Sequence, residues 1–235
     1  MSLLGGRVKY AQLEHGHRTG IEPVLLAACV PARPGELVLE AGTGAGAGLL
    51  CLAARVDGVR GGGVEREAEL AALARANFAA NRFDGLEAVQ ADLAVWRAEA
   101  VFDHGFANPP WHDPAGTASA DGLRDGAKRR APGLLGQWIL CLARALRHRG
   151  TLSLALPAGV VPEALAGLAA AGCGSAAVFP LWARAGAPAK LVLLRGVRGG
   201  RGAFRLLPGL VLHRADGGFT EAADAVLRGA AALAL

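Results

Sequence analysis

The chain has 235 residues, 52% of them hydrophobic and 19% charged, which suits one compact α/β domain and excludes extended disorder. Its apolar runs are too short and interrupted for a membrane span, and its four cysteines lack zinc or redox spacing, so we expect a cytoplasmic protein without a metal. A formal net charge of +5 would attract a polyanion such as RNA, although charge alone leaves nucleic-acid binding open.

From residue 36 onward, short β-type runs alternate with longer Ala/Leu-rich stretches of helical period. This alternation predicts an α/β fold with helices on both faces of a mostly parallel sheet. Seven strands fit a Rossmann-like class I methyltransferase better than a dinucleotide dehydrogenase, whose sheet has six. The predicted strands are 36–40, 63–65, 88–90, 102–107, 151–156, 176–181 and 191–196, and the predicted helices are 22–29, 46–56, 66–81, 132–149 and 161–171.

The whole chain is predicted to form a single domain. Residues 1–35 are expected to be an N-terminal appendage, because their capacity for burial is too small for a separate domain, and residues 36–197 form the core. Residues 198–235 are expected to add a β-hairpin arm or strand pair over 203–213 and a closing helix over 219–229.

A glycine-rich turn follows the first predicted strand of the core. The strand ends in Glu40, and the turn contains Gly42, Thr43, Gly44 and Gly46. Glycines let a ligand approach the backbone closely, because a Cβ there would collide with it. The spacing alone does not separate NAD from S-adenosylmethionine. Glu40 favours S-adenosylmethionine, because its carboxylate precedes the glycines where it can meet a cationic amino-acid group.

Two further acids follow the next two predicted strands. Glu65, with Arg66 beside it, ends the second strand about twenty residues after the glycines, where a carboxylate can accept both ribose hydroxyls of either cofactor. Asp92, followed by Leu93, ends the third strand and resembles the residue with which methyltransferases bind the adenine amino group. These acids could instead cap the helices that follow them. Three acids at successive strand ends favour a cofactor site.

The tetrapeptide Asn108-Pro109-Pro110-Trp111 follows the fourth predicted strand, at the ligand edge of the sheet. Consecutive prolines restrict the backbone, so that the Asn108 side chain and the Pro109 carbonyl can face one point. Two acceptors aimed at one NH2 group favour a pyramidal nitrogen and selectively stabilise the transition state of methyl transfer. The Trp111 indole offers a face on which a planar base or amide can stack.

The tetrapeptide could also be an ordinary turn with Trp111 packed into the core. Its position after a glycine turn and three acid-terminated strands favours the catalytic interpretation. The predicted target is then a planar amino group, and the motif alone does not distinguish a nucleobase from a carboxamide.

With these motifs the chain resembles the amino-methyltransferases that carry an Asn-Pro-Pro-aromatic motif. More closely, it resembles the bacterial tRNA (adenine-N6)-methyltransferases that act beside the anticodon of a valine tRNA. The resemblance covers nearly the full length and includes residues 17–26, 179–182, 188–190 and 210–229. It implies that S-adenosylmethionine is held by Arg18, Thr19, Glu40, Gly42, Thr43, Gly44, Gly46, Glu65, Arg66, Asp92, Leu93 and Asn108.

The resemblance also implies that the tetrapeptide 108–111 holds an adenine extruded from a tRNA, namely adenine 37 beside the anticodon. The family often has Asp where Glu40 stands, and Tyr or Phe where Trp111 stands. The longer acid should still reach the methionine amino group of the cofactor. The basic cluster Lys128, Arg129 and Arg130 is predicted to bind RNA phosphates beside the site, although a solvated cluster is the default for such a run. The basic residues Arg198, Arg201 and Arg205 support this prediction.

The leading hypothesis is therefore N6-methylation of an adenine in tRNA by a monomer or homodimer. The same chemistry on a protein glutamine is an alternative, but release-factor methyltransferases with this motif usually carry a separate N-terminal helical domain. The 35 residues before the core leave no room for one. A third hypothesis is a Rossmann-like protein that binds NAD or is not catalytic.

Overall fold

The structure, a computed structural model, describes residues 1–15, 18–110 and 133–235. A short antiparallel hairpin of β1 (Ser2–Leu3) and β2 (Val8–Lys9) precedes α1 (Glu22–Cys29). The strands that follow are β3 (Leu37–Ala41), β4 (Arg60–Glu65), β5 (Leu86–Gln90), β6 (Phe102–Ala107), β7 (Leu146–Pro157), β8 (Cys173–Trp182), β9 (Leu191–Arg198), β10 (Arg205–Leu206) and β11 (Leu210–Val211). The helices are α2 (Ala47–Arg55), α3 (Ala68–Ala80), α4 (Leu134–Ala145), α5 (Val161–Ala170) and α6 (Glu221–Leu227).

The strands β3 to β11 form one sheet in the order β10-β8-β9-β7-β6-β3-β4-β5, and β11 also pairs with β8. Neighbouring strands of the described sheet run parallel, except that β9 is antiparallel to both β7 and β8. From β3 the chain first adds β4 and β5 on one side and then returns to add β6 and β7 on the other. This reversal forms a crevice at the carboxyl ends of β3 and β6, which is where open α/β sheets bind ligands.

Helices cover both faces of the sheet and bury its apolar side chains. On one face, α1, α2, α3 and α6 pack in a core cluster that includes Leu25, Leu50 and Phe78. On the other face, α4 and α5 pack in a cluster that includes Ile139 and Leu168. Six of the eight residues of α1 are buried, so the segment expected to be an appendage contributes a helix to the core. The predicted α/β fold with helices on both faces is confirmed.

Within the described residues the sheet has nine strands instead of the predicted seven. The additional strands, β10 and β11, come from the segment expected to form a hairpin arm, but each runs parallel to β8. Between them, Gly209 has φ +84°, and a Cβ there would collide with the Pro180 carbonyl of β8. The Trp182 indole donates a hydrogen bond to the Pro208 carbonyl (3.0 Å). These close contacts hold the chain along the edge of β8, and the predicted closing helix follows as α6.

Most element boundaries differ from the prediction by at least one residue, and packing accounts for two of these differences. β4 begins at residue 60 instead of 63, and Gly61 within it leaves room for the Leu49 side chain of α2. α4 ends at residue 145 instead of 149, and β7 begins directly after it. The guanidinium of Arg147 forms an ion pair with Asp103 of β6, which holds this part of the chain beside the sheet.

Candidate functional site

The crevice between β3 and β6 brings several predicted site residues together. Ala41 of β3 pairs with Ala107 of β6, so the residues that follow them, Gly42 and Asn108, leave adjacent strands that are about 4.8 Å apart. Glu65 ends β4 on the other side of β3. The glycine turn, the acid of β4 and the start of the Asn-Pro-Pro segment therefore share one edge of the sheet.

The glycine turn has a backbone conformation that favours glycine. The angle φ is +65° at Gly42, +56° at Gly44 and +87° at Gly46, which is the left-handed region where a Cβ is unfavourable. The amides of Gly42 and Thr43 donate to the Val64 carbonyl (2.8 and 3.2 Å) and tie the turn to the end of β4. The turn therefore presents backbone rather than side chains to the crevice.

Glu40 places a buried carboxylate beneath the turn, with only 5% of the residue exposed. One oxygen accepts hydrogen bonds from the Thr43 hydroxyl (2.5 Å) and from the Leu49 amide of α2 (3.2 Å). Burial raises the pKa of Glu40 to about 8 against the effect of these bonds, and the charge of Glu65 acts in the same direction as burial.

This acid also lacks a basic partner in the part of the chain that the structure describes, where no ion pair involves Glu40. A ligand with an ammonium group would supply the missing positive charge and stabilise the ionised form. Gly48 lies so close that a Cβ there would collide with the carboxylate, so the acid is held tightly in place. The buried carboxylate fits the amino-acid end of the predicted cofactor.

Thr43, predicted to contact the cofactor, points its side chain into the protein. Its hydroxyl donates to Glu40, and its methyl group lies over Gly63 of β4, where a Cβ would collide with it. The residue is 5% exposed. The structure therefore gives the Thr43 side chain the indirect role of orienting Glu40, and it explains a glycine in the middle of β4.

Glu65 connects the end of β4 to the glycine turn. One carboxylate oxygen accepts from the Gly44 amide (2.9 Å), and the other accepts from the Glu67 amide before α3 (3.0 Å). The second bond closes a turn before α3 and is not a helix cap, because Glu67 occupies the N-cap position and no side chain caps this helix. Each carboxylate oxygen has a further lone pair, so ribose hydroxyls can still donate to Glu65.

The other predicted contacts after β4 and β5 have roles of their own in the free protein. Asp92 is exposed and accepts a hydrogen bond from the Ala94 amide (2.8 Å), which closes a turn. Leu93 is half-buried and packs against the core cluster beneath α4 and α5. Arg66 is exposed and forms an ion pair with Glu67 (3.0 Å). Contact of these residues with a cofactor stays a prediction.

Asn108, Pro109 and Pro110 directly follow β6. Asn108 is half-buried and has a polar interaction partner, Pro109 is buried, and Pro110 is half-buried. The preceding residue, Ala107, is fully buried between β3 and β7, so the segment starts from a rigid part of the sheet. Outside the described residues lie Trp111, predicted to stack on the target, and the predicted phosphate-binding cluster of Lys128, Arg129 and Arg130.

The segment before α1 lies close to the glycine turn. The Thr19 hydroxyl shares a hydrogen bond with the Tyr10 phenol (2.7 Å), and the Thr19 amide donates to Gln12 (3.3 Å). Burial raises the pKa of Tyr10 to about 12, and the charge of Glu40 acts in the same direction, so the phenol lies within electrostatic range of that acid. Thr19 is thus held near the acid beneath the turn, whereas Arg18 is exposed.

Asn77 of α3 is a site residue that the sequence analysis missed. It is 3% exposed, donates to the carbonyls of Ala11 (2.8 Å) and Ala45 (2.9 Å), and accepts from the Ala11 amide (2.9 Å). One helical turn later, Asn81 donates to the Lys9 carbonyl (2.7 Å) and accepts from its amide (2.9 Å). The two side chains hold alternate residues of the N-terminal segment, and Asn77 joins that segment to the glycine turn. The sequence feature that could have indicated this role is their four-residue spacing, which places both side chains on one face of a helix.

Trp138 of α4 was also missed. Its indole lies against Gly42, where a Cβ would collide with the ring. A tryptophan on a helix with an apolar face is typical of a core position, so the sequence pattern did not indicate a contact with the turn. The contact shows that α4 borders the crevice on the side opposite α2 and α3.

We predict that Asn77→Ala lowers the free energy of unfolding by about 1 to 3 kcal/mol, because it leaves the buried carbonyl of Ala45 and the part-buried backbone groups of Ala11 without their partner. Urea denaturation of the protein without ligand measures this loss. Asn81→Ala is the matched control, and its cost should be smaller because its bonds to Lys9 are exposed. Equal costs for the two variants would contradict the role given to Asn77.

A comparison with known proteins identifies the family. Residues 21–153 match the family model described as the methyltransferase small domain, which is more than half of the 235 residues. The chain belongs to the methyltransferase small domain family. This membership confirms the family predicted from the motifs, and the chain is a methyltransferase.

Two curated relatives carry the same name, tRNA1(Val) (adenine(37)-N6)-methyltransferase. The protein from Aeromonas hydrophila is 30% identical over 208 residues, which cover 87% of this chain and 86% of the relative. The protein from Cronobacter sakazakii is 30% identical over 144 residues, which cover 60% of this chain and 58% of the relative. The match to this second methyltransferase therefore spans little more than half of its length.

Solved structures share the fold. A predicted O-methyltransferase from Agrobacterium tumefaciens has a TM-score of 0.75 and 25% identity, with 91% of this chain and 98% of that chain covered. An S-adenosylmethionine-dependent O-methyltransferase from Thermotoga maritima has a TM-score of 0.58 and 16% identity, with 81% and 69% covered. These methyltransferases have the same Rossmann-like architecture.

Two further features bear on the predicted partners. None of the helices that the structure describes is long and apolar enough to cross a membrane. Within residues 1–15, 18–110 and 133–235, no group of three or more His, Cys, Asp or Glu side chains could hold a metal ion.

Proposed function

We propose that this methyltransferase transfers a methyl group to N6 of an adenine in tRNA, namely adenine 37 of a valine tRNA. S-adenosylmethionine is its cofactor. The proposal rests on one observation: the Asn108-Pro109 segment leaves β6 beside the glycine turn and its buried acid, at the switch point of the sheet. A tRNA substrate would also place the enzyme in the cytoplasm.

Different residues of the site can bind different parts of the cofactor. The backbone of the glycine turn allows close approach of the cofactor, Glu40 can pair with its amino group, and Glu65 can accept its ribose hydroxyls. Asp92 is the predicted partner of its adenine. S-adenosylmethionine supplies an electrophilic methyl group on a positively charged sulfur.

The acceptors at the end of β6 would act on the target nitrogen. The exocyclic nitrogen of adenine is a poor nucleophile, because its lone pair is delocalised into the ring. Hydrogen bonds from its two N–H groups to the Asn108 side chain and the Pro109 carbonyl would favour a pyramidal nitrogen and stabilise the transition state. The lone pair forms the new N–C bond as the methyl group leaves sulfur. One N–H proton then passes to water, so a strong base is not required.

Two points support an adenine over other methyl acceptors. A hydroxyl has one hydrogen and would use one of the two acceptors, whereas an NH2 group uses both. The relatives from Aeromonas hydrophila and Cronobacter sakazakii are named for N6 of adenine 37 in a tRNA, and the former matches over 86% of its length. A protein glutamine amide also presents an NH2 group, so the experiments must distinguish methylation of glutamine from methylation of adenine.

A pair of tRNA transcripts tests the proposed target. We expect methylation of a valine tRNA transcript that has adenine at position 37, and no methylation when guanine replaces it. Both transcripts keep the same fold and charge, so loss of methylation identifies the base. Equal methylation of the two transcripts would reject the proposed position, and methylation of neither would reject the proposed substrate.

A further inference from the structure

A basic surface surrounds the turn that follows β9, at the amino end of the strands. It borders two grooves, of about 590 and 400 Å3, one on either side of β9. Among the described residues that line these grooves there is no Asp or Glu. We call this surface the arginine edge, and its basic residues are Arg149, Arg195, Arg198, Arg201 and Arg205.

The arginine edge lacks balancing acids. Within the described residues, Arg149, Arg201 and Arg205 form no ion pair with a carboxylate. Arg195 is partly buried, and both burial and the positive charge of Arg205 lower its pKa, so two guanidinium groups repel each other here. A bound anion would reduce the repulsion between like charges that no acid balances.

Exposed apolar side chains flank Arg205 along the chain. Phe204 is 54% exposed and Leu206 is 70% exposed, on either side of Arg205. An exposed aromatic ring in a segment that also carries arginines is suited to stack on an unpaired base while the guanidinium groups bind phosphates. The combination indicates a nucleic acid rather than a small anion.

The backbone beneath these side chains is firmly held. Arg205 pairs with Ala177 of β8, and the Gly202 amide donates to the Ser175 hydroxyl (2.8 Å). The guanidinium of Arg198 donates to the Ala171 carbonyl at the end of α5 (2.6 Å). The arginine edge is therefore a preorganised surface, which reduces the entropy lost on binding.

The arginine edge lies apart from the cofactor crevice. The strand pairings place the turn after β9 about six residues below the level of Asn108 and two strands to the side, which corresponds to on the order of 20 Å. The arginines lie there because β9 is antiparallel and returns the chain to the amino end of the sheet.

We propose that the arginine edge is an RNA-docking surface, at which Arg201 and Arg205 bind backbone phosphates of the tRNA and Phe204 stacks on an unpaired base. This inference rests on the proposed function, because it gives the tRNA a second contact while the target adenine occupies the crevice. Docking at this surface would select RNA that extends about 20 Å beyond the target.

The double variant Arg201→Glu/Arg205→Glu tests the docking surface. We expect its KM for tRNA to rise at least about tenfold at 0.1 M salt, with kcat and the Kd for S-adenosylmethionine nearly unchanged, because phosphate contacts are lost away from the reacting atoms. The dependence of tRNA affinity on salt should weaken by about one to two units of log–log slope. Phe204→Ala should raise KM for tRNA and leave that slope unchanged.

The matched control is Arg60→Glu/Arg82→Glu, which makes the same charge change at exposed positions on the other side of the sheet. Equal effects of the two double variants on KM would overturn the docking surface. Direct binding of fluorescent tRNA without cofactor separates the two proposals. If the wild type binds tRNA more tightly than Arg201→Glu/Arg205→Glu does but methylates no adenine, the proposed function is rejected and the docking surface is kept. If Arg201→Glu/Arg205→Glu methylates tRNA and binds it as tightly as the wild type does, the docking surface is rejected and the proposed function is kept.

Discussion

Replacing Asn108 by Ala is expected to lower kcat by at least about 100-fold and to leave the Kd for S-adenosylmethionine within about threefold of the wild type. The reason is that the side chain binds the target amino group more strongly as the nitrogen becomes pyramidal, and loss of one such contact typically costs 100- to 1000-fold in rate. Single-turnover methylation of tRNA measures the chemical step, and calorimetric titration measures cofactor affinity.

Asn81→Ala provides the control for this prediction, because it removes the same amide group at the residue that follows α3, away from β6. We expect its kcat to stay close to that of the wild type. Unchanged turnover in Asn108→Ala would show that the acceptor pair is misassigned. A loss of cofactor affinity as large as the loss of turnover would show that Asn108 acts mainly in cofactor binding.

Glu40→Gln is expected to weaken S-adenosylmethionine binding and to remove its pH dependence below pH 8. The pKa of Glu40 in the free protein is about 8, so the acid must lose a proton to pair with the cofactor amino group at lower pH. The affinity of the wild type should therefore fall by up to about tenfold per pH unit between pH 8 and pH 6. The glutamine variant should bind weakly and almost equally at both pH values.

The same substitution should change how stability depends on pH. The folded-state pKa of about 8 exceeds the ordinary value of 4.5, so the folded protein binds the proton more tightly than the unfolded chain does. The contribution of Glu40 is fully present below pH 4.5 and is lost as the pH rises to about 8. The loss is at most about 1.4 kcal/mol per pH unit. Glu40→Gln removes this slope and should be the more stable protein above pH 8.

The exposed residue Glu69 provides the control, because Glu69→Gln makes the same chemical change on the surface of α3. Denaturation at several pH values should show a wild-type slope for this variant. A Glu40→Gln protein that binds the cofactor as tightly as the wild type at pH 8 would contradict the proposed pairing. If the stability of Glu40→Gln depends on pH with the same slope as that of the wild type, Glu40 is already ionised in the free protein.

Features that depend on local sequence were predictable. The strand that ends in Glu40, the glycines after it and the acid Glu65 lie within thirty residues, and their order along the chain determines their positions at the sheet edge. Asn108 was predictable for the same reason, since it follows a strand directly. Alternation of strands and helices was sufficient to predict the sheet and the face that binds ligands.

Features that depend on distant contacts were not predictable from the sequence. Asn77 binds Ala11, which lies 66 residues away, and neither residue belongs to a motif. Thr43 was assigned to the cofactor because it lies among the glycines, but its direction depends on a space beside Gly63 in another strand. The pairing of β10 and β11 with β8 depends on the close passage at Gly209, which appears in the sequence only as an ordinary Pro-Gly turn.

The most direct test of the account is to incubate the protein with total bacterial tRNA and labelled S-adenosylmethionine, and then to separate the nucleosides. Our account predicts that the label is recovered as N6-methyladenosine with the wild type and is absent with Asn108→Ala. Label recovered as a ribose-methylated nucleoside, or found in added protein and not in RNA, would contradict the proposed methylation of an adenine amino group.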